Sequence, residues 1–213
     1  GLNSCRPLME TNYMLYANDD MYFLPHWDKT LMEEVNKIGH EMYMLSSTMI
    51  EPFDTQNPCV IVSDFGDSIE TFQENNLLQK YEKLDKPDWS GSTWPPNLLP
   101  VKLWDLVGGM STEFSPGMYS DPDLSKKLWD LGVRYFKGVG KSKVYHFGSK
   151  STGRVKRNPG HKTFLVKWGM TGNSFITNFL KRGEIFTGPL PEPEISFSQN
   201  SINKFKRVWK CLT

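Results

Sequence analysis

From Tyr13 to about Val133, short β-forming runs alternate with stretches whose apolar residues recur every three to four positions. Such alternation leaves a chain few architectures, because parallel strands need a crossover long enough to hold a helix. Tyr13–Ala17 and Met42–Ile50 read as strands, and Cys59-Val-Ile-Val as a short strand covered on both faces. Trp27, Leu31, Val35 and Ile38 share one helical face that Gly39 ends. Asp67 and Glu70, spaced as a capping box, predict a helix with a stripe through Ile69, Phe72, Leu77, Tyr81 and Leu84. Pro100 opens another helix, which Gly108-Gly109 stops, and Leu124, Leu128 and Leu131 mark the next. Val133–Phe147 is β-like with a bend at Gly138-Val-Gly-Lys. Two helices near Thr163–Trp168 and Ser174–Arg182 precede a final amphipathic one, expected to set Ile202, Phe205, Val208, Trp209 and Leu212 against the body. The expected class is α/β: a mixed sheet flanked by helices over residues 1–160, with a C-terminal helical extension, 161–213, packed on it.

Composition matters here mainly through charge. Residues 142–213 carry 13 Lys and Arg against three Asp and Glu, whereas residues 1–141 carry 12 against 21. Either an anionic ligand or partner meets the C-terminal third, or the two ends of the chain pair with each other. No nucleic-acid motif accompanies the basic residues, so no nucleic-acid partner is expected. No apolar run is long enough for a transmembrane segment, and "GLNSCRPLMETN" lacks the apolar centre of a secretory signal. Cys5, Cys59 and Cys211 share no metal-type spacing and read as free thiols of a reducing, cytoplasmic setting.

Four stretches carry side chains with chemical use. The first strand ends in Asn18-Asp19-Asp20; carboxylates at the carboxyl end of a strand are hard ligands for Mg²⁺ or Mn²⁺, although the triplet is also good turn chemistry. Asp121-Pro122 suits a helix start, Asp as N-cap and Pro at the first position, and a carboxylate held there can take a proton from a hydroxyl. His146 closes a β-like run, as a metal or phosphate contact or as an ordinary structural histidine. The basic loop after it, with Ser149, Ser151, Arg154, Lys156 and Arg157, suits a diphosphate or is simply solvated. Trp89 and Trp94 enclose Ser90, Ser92 and Thr93, an arrangement that stacks on a sugar ring or pins a loop to the core.

Taken in order, "YANDD" and then "GSTWPPNLLPVKLWDLVGGMSTEFSPGMYSDPDLSKKLWDLGVRYFKGVGKSKVYHFGSKSTGR" resemble the inverting family-2 glycosyltransferases of the GT-A fold. The likeness covers Tyr13 to about Arg157 and is most specific from Val107 to Gly132. It implies a DXD-type motif at Asn18-Asp19-Asp20, with Asp20, Asn18 and His146 toward a divalent metal, Mn²⁺ or Mg²⁺. It also implies Asp19, Ser149, Ser151 and Arg154 on the donor diphosphate, Asp121 as the catalytic base, and Trp89, Trp94 and Asp123 toward the acceptor. The implied reaction transfers a sugar from a nucleotide-sugar donor to a carbohydrate or other hydroxyl acceptor, with inversion. Three departures stand out: Asn18 replaces the first Asp of DXD, Ser120 stands where a Glu usually precedes the base, and only 17 residues precede Asn18. The expected domain therefore lacks the family's N-terminal nucleotide-binding half, and its DXD strand would offer an open edge for self-association. Two other classes stay open: a non-catalytic carbohydrate- or nucleotide-binding module on the same fold, and an unrelated phosphohydrolase using Asp19 and Asp20.

Overall fold

The structure, a computed structural model, describes residues 2–116, 118–148, 158–194 and 197–212. Its strands are β1 (Tyr13–Tyr16), β2 (Met21–Phe23), β3 (Tyr43–Glu51), β4 (Ile61–Val62), β5 (Trp89–Ser90), β6 (Asn97–Pro100) and β7 (Tyr135–His146). They form one open mixed sheet in the order β1-β6-β3-β7-β2, with β4 beside β3 and β5 beside β7. β3 runs parallel to β7 and β4, and the remaining pairs are antiparallel. Among the described residues β1 is an outer strand, bonded along one edge to β6.

Alternating side chains divide the core between the two faces. On one face Met14, Tyr16, Met44, Leu99 and Phe136 pack with Leu103 and Trp104 of α3 (Val101–Val107) and Leu124 and Leu128 of α4 (Ser120–Asp130). Phe164 of α5 (Gly160–Trp168), Phe175, Phe179, Leu180 and Leu190 join the same cluster, so residues 160–190 share the core of the sheet. On the other face Tyr43, Leu45, Leu98 and Val139 meet Leu31 and Val35 of α1 (Trp27–Ile38), the helix its apolar stripe predicts, closed by Gly39 at φ 70°. Truncating Leu31 to Ala would cost about 2–5 kcal/mol.

β3 carries a polar triplet, Ser46-Ser47-Thr48, in a strand whose nine residues are all buried. Each hydroxyl is satisfied: Ser46 by Ser92, Ser47 by Ser142 at 2.6 Å, and Thr48 by donation to the Val139 carbonyl at 3.0 Å. Here the β3–β7 register jumps, from Ser47 opposite Val139 to Thr48 opposite Lys143. The expected bend at Gly138-Val-Gly-Lys is thus a bulge within one continuous twelve-residue strand.

Three expectations need correction. Only Ile61–Val62 of the Cys59–Val62 run pairs, at the end of β3, and Val62 is exposed rather than covered. The helix expected behind Asp67 starts later, as α2 (Glu74–Lys80), because the Thr71 hydroxyl accepts from the backbone N–H groups of Asp67 and Ser68 and closes a turn there instead. The short turn α6 (Gly172–Ser174), continued by a π-helical turn over Phe175–Phe179, precedes the last helix, α7 (Phe197–Leu212). α7 buries Asn203 and leaves Ile202, Phe205, Val208 and Trp209 exposed, the reverse of the expected orientation. Among the described residues no helix is long and apolar enough to cross a membrane.

Candidate functional site

Strand pairing brings Asp20 and His146 together across 126 positions of sequence. β2 pairs with β7 so that Met21 lies opposite His146, and the Phe147 N–H donates to the Asp20 carbonyl at 3.1 Å. The imidazole Nε2 then sits 3.4 Å from Asp20 Oδ2. On its other side Nδ1 lies 2.8 Å from Oε1 of Glu51, the last residue of β3. A buried histidine gripped by a carboxylate at one nitrogen is fixed in tautomer and orientation at the other. Burial would lower the His146 pKa, but Glu51 and Asp20 together carry it above the ordinary value. Asp20 Oδ1 and His146 Nε2 are buried and have no hydrogen-bond partner among the described residues.

His146 and Glu51 border a cavity of about 730 Å³ that Asn18, Asp19, Trp94, Tyr119, Asp121 and Arg182 also line, while Asp20 stands behind His146 and is not part of its wall. Asn18 and Asp19 are exposed at its rim, in the turn between β1 and β2.

Asp121 stands in the first turn of α4, whose N-cap is Tyr119; the expected N-cap Asp followed by Pro at the first position therefore shifts by two residues. Although the residue as a whole is half-buried, enclosure of its carboxyl raises the pKa from 3.8 to about 7. Tyr16 is its neighbour: burial, then the Asp121 charge, push the phenol well above its ordinary pKa, while its oxygen accepts from Asn97 Nδ2 at 2.7 Å. Tyr119 holds φ 79°, a conformation that costs a non-glycine residue about 1–3 kcal/mol. Its ring fixes it in place, lying 5.9 Å from Phe164 and so close to Gly172 that a Cβ there would come within 2.5 Å of Tyr119 Cε1. The backbone leading into Asp121 is therefore determined by packing.

The two tryptophans separate in role. Trp94 lines the cavity, and the Arg182 guanidinium carbon lies 3.4 Å from the centre of its ring. Arg182 also donates to Asn57 Oδ1, its Nε has no hydrogen-bond partner among the described residues, and burial pulls its pKa below the usual value. Trp89 is instead a core residue: its Nε1 donates to Thr48 at 2.9 Å, and a Cβ on Gly138 would fall 1.8 Å from its Cε2. Asp123, expected toward the acceptor, faces away from the cavity. It is fully buried and accepts from Ser111 at 2.5 Å, Trp168 Nε1 at 2.8 Å and Lys167 at 2.8 Å. A helical step of two residues turns it to the far side of α4 from Asp121. Ser149, Ser151 and Arg154 lie outside the described residues.

Glu51, Tyr16, Tyr119 and Arg182 are site residues the sequence reading missed. Only Glu51 left a signal, as a carboxylate closing an apolar run before Pro52. Among the described residues no group of three or more His, Cys, Asp and Glu is arranged to hold a metal ion. The orphaned oxygen of Asp20 suits a hard ion that draws its remaining ligands from a bound phosphate and water, whereas the nitrogen of His146 is not a usual Mg²⁺ ligand. No protein-family model matches the chain, and a search of the curated proteins finds no match.

Proposed function

We propose that this chain is a metal-dependent inverting glycosyltransferase of the GT-A type, or the C-terminal part of one. The observation that carries the reading is an orphaned nitrogen on His146, which lines the same cavity as a carboxyl poised near neutral pH and has the orphaned oxygen of Asp20 behind it. Asp20 and His146 would hold Mn²⁺ or Mg²⁺, with Asn18 and Asp19 at the rim. When bound, the ion supplies positive charge to the leaving diphosphate of a nucleotide sugar. Asp121 accepts the proton of the acceptor hydroxyl at its carboxylate, and a pKa near the working pH suits that task. Trp94 offers a face for a sugar ring and Arg182 a cation for an anionic oxygen. In this reading β1 is the DXD strand, and its free edge takes a further strand from another copy or another segment.

A second reading, a carbohydrate- or nucleotide-binding module without turnover, is favoured by one observation: the described residues supply only two clear ligand atoms. Calorimetry with Mn²⁺ and a panel of nucleoside diphosphates tests both. Metal-dependent binding lost in Asp20→Ala and kept in Asp121→Ala, with transfer of sugar to a hydroxyl abolished in Asp121→Ala alone among binders, supports the transferase. Binding without transfer by the wild-type chain supports the module, and no binding of any nucleotide sinks the transferase reading.

A further inference from the structure

Helix α7 turns an apolar face outward from the described residues of the body. Ile202, Phe205, Val208 and Trp209 fall on one arc at 100° per residue, and they are 46, 69, 59 and 58% exposed. Phe205 and Trp209 stack on each other with centroids 6.4 Å apart. The helix meets the body by its opposite side, where Asn203 is buried. An apolar groove of about 600 Å³ runs beside it, walled by Phe205 and Trp209 of α7 and by Leu165, Tyr119 and Gly172 of the body.

The charge pattern identifies what covers this face. Residues 197–212 contain Lys204, Lys206, Arg207 and Lys210 and no Asp or Glu. On the helical wheel Lys204 and Lys206 flank the apolar arc on either side, and Arg207 and Lys210 lie behind them. A second copy of the same face would bring the flanking Lys204 and Lys206 against their own copies with no acid on either helix to offset them. Sixteen residues reach about 24 Å and carry four cations, which excludes a span. Aromatic and aliphatic side chains on one arc with lysines at its borders suit the plane between acyl chains and phosphates, where lysine stems extend toward the headgroups.

We propose that α7 is an interfacial helix that docks the protein on an anionic phospholipid surface, with Phe205 and Trp209 inserted and the lysines on lipid phosphates. The groove beside this face shares Tyr119 with the wall of the cavity that His146 and Asp121 line, but the proposal stands whatever that cavity does.

Co-sedimentation of the full chain with extruded vesicles tests it. Vesicles of phosphatidylcholine with about one third phosphatidylglycerol should pellet the protein, and pure phosphatidylcholine should bind it at least tenfold more weakly. Phe205→Ser with Trp209→Ser should weaken binding to the anionic vesicles by at least tenfold, as should Lys204→Glu with Lys206→Glu. Circular dichroism should show both variants folded, since all four side chains are exposed. No pelleting with anionic vesicles overturns the proposal, as does equal binding to neutral ones or binding that survives both double variants. A concentration-dependent dimer that Phe205→Ser with Trp209→Ser abolishes also overturns it, in favour of a second copy on that face.

Discussion

Asp123 and Asp20 are both withdrawn from bulk water, and they are satisfied to very different degrees. Asp123 accepts from a hydroxyl, an indole N–H and a lysine, with Lys127 at 3.9 Å completing its surroundings. Asp20 has one oxygen beside an imidazole and the other buried with no partner among the described residues. A fully bonded carboxylate is a structural tie between α4, α5 and the loop at Ser111. A carboxylate left incomplete is disfavoured unless something fills it, so the incomplete one marks the functional candidate.

The largest effect that would sharpen this contrast is on stability. Asp123→Ala leaves the Trp168 N–H without its acceptor and takes one carboxylate from Lys167, which keeps Glu113, and should cost about 1–3 kcal/mol, read as a lowered midpoint in urea unfolding with the slope unchanged. Any protein that remains folded should still bind Mn²⁺ with nucleoside diphosphate; selective loss of that binding at full stability would break the contrast. Glu51→Gln comes next. It keeps the shape but weakens the grip on His146 Nδ1, and should lower Mn²⁺ affinity by about 10–100-fold, measured by calorimetry, with a smaller change in thermal midpoint.

The smallest effect concerns Asp121. Its folded pKa is raised, so its contribution to stability is whole below the unfolded carboxylate's pKa and is lost as pH rises through about 7. Asp121→Asn should therefore match the parent near pH 4 and exceed it above pH 7. Allowing for its half-buried position, the gain should be about 1–2 kcal/mol, or roughly 2–6 °C in thermal midpoint. Transfer by the parent should rise with pH over the same range as the base loses its proton. An unchanged stability difference between pH 4 and pH 8 would show that the carboxyl is not desolvated.

Features carried by contiguous residues were legible in the sequence. The stripe from Trp27 to Ile38 and the glycine behind it define α1 to the residue. The triplet at Asn18, the carboxylate at Asp121 and His146 read as isolated groups, and the fold brings Asn18, Asp19, Asp121 and His146 to one cavity with Asp20 behind His146. What stayed hidden depends on distant partners. Glu51 meets His146 only because β3 lies beside β7, and Arg182 meets Trp94 from 88 positions away. The resemblance put Asp123 toward the acceptor, yet two positions on from Asp121 the helix turns it into the core. The stripe on α7 shows which residues share a side, but not which side the body takes; there, a single buried asparagine decides.

The bulge in β7 has one more consequence, and it is a matter of parity. Residues 140, 141 and 142 are extra between Val139 and Lys143, and side chains along a strand change faces at every step. Four steps separate Val139 from Lys143 where one separates Ser47 from Thr48, so strict alternation would set His146 on the opposite side from Glu51; the bulge breaks the alternation and returns the two to one side. Removing one of these residues would keep the strand, the histidine and the sequence motif, and would change how the bulge resets the alternation that aims the imidazole.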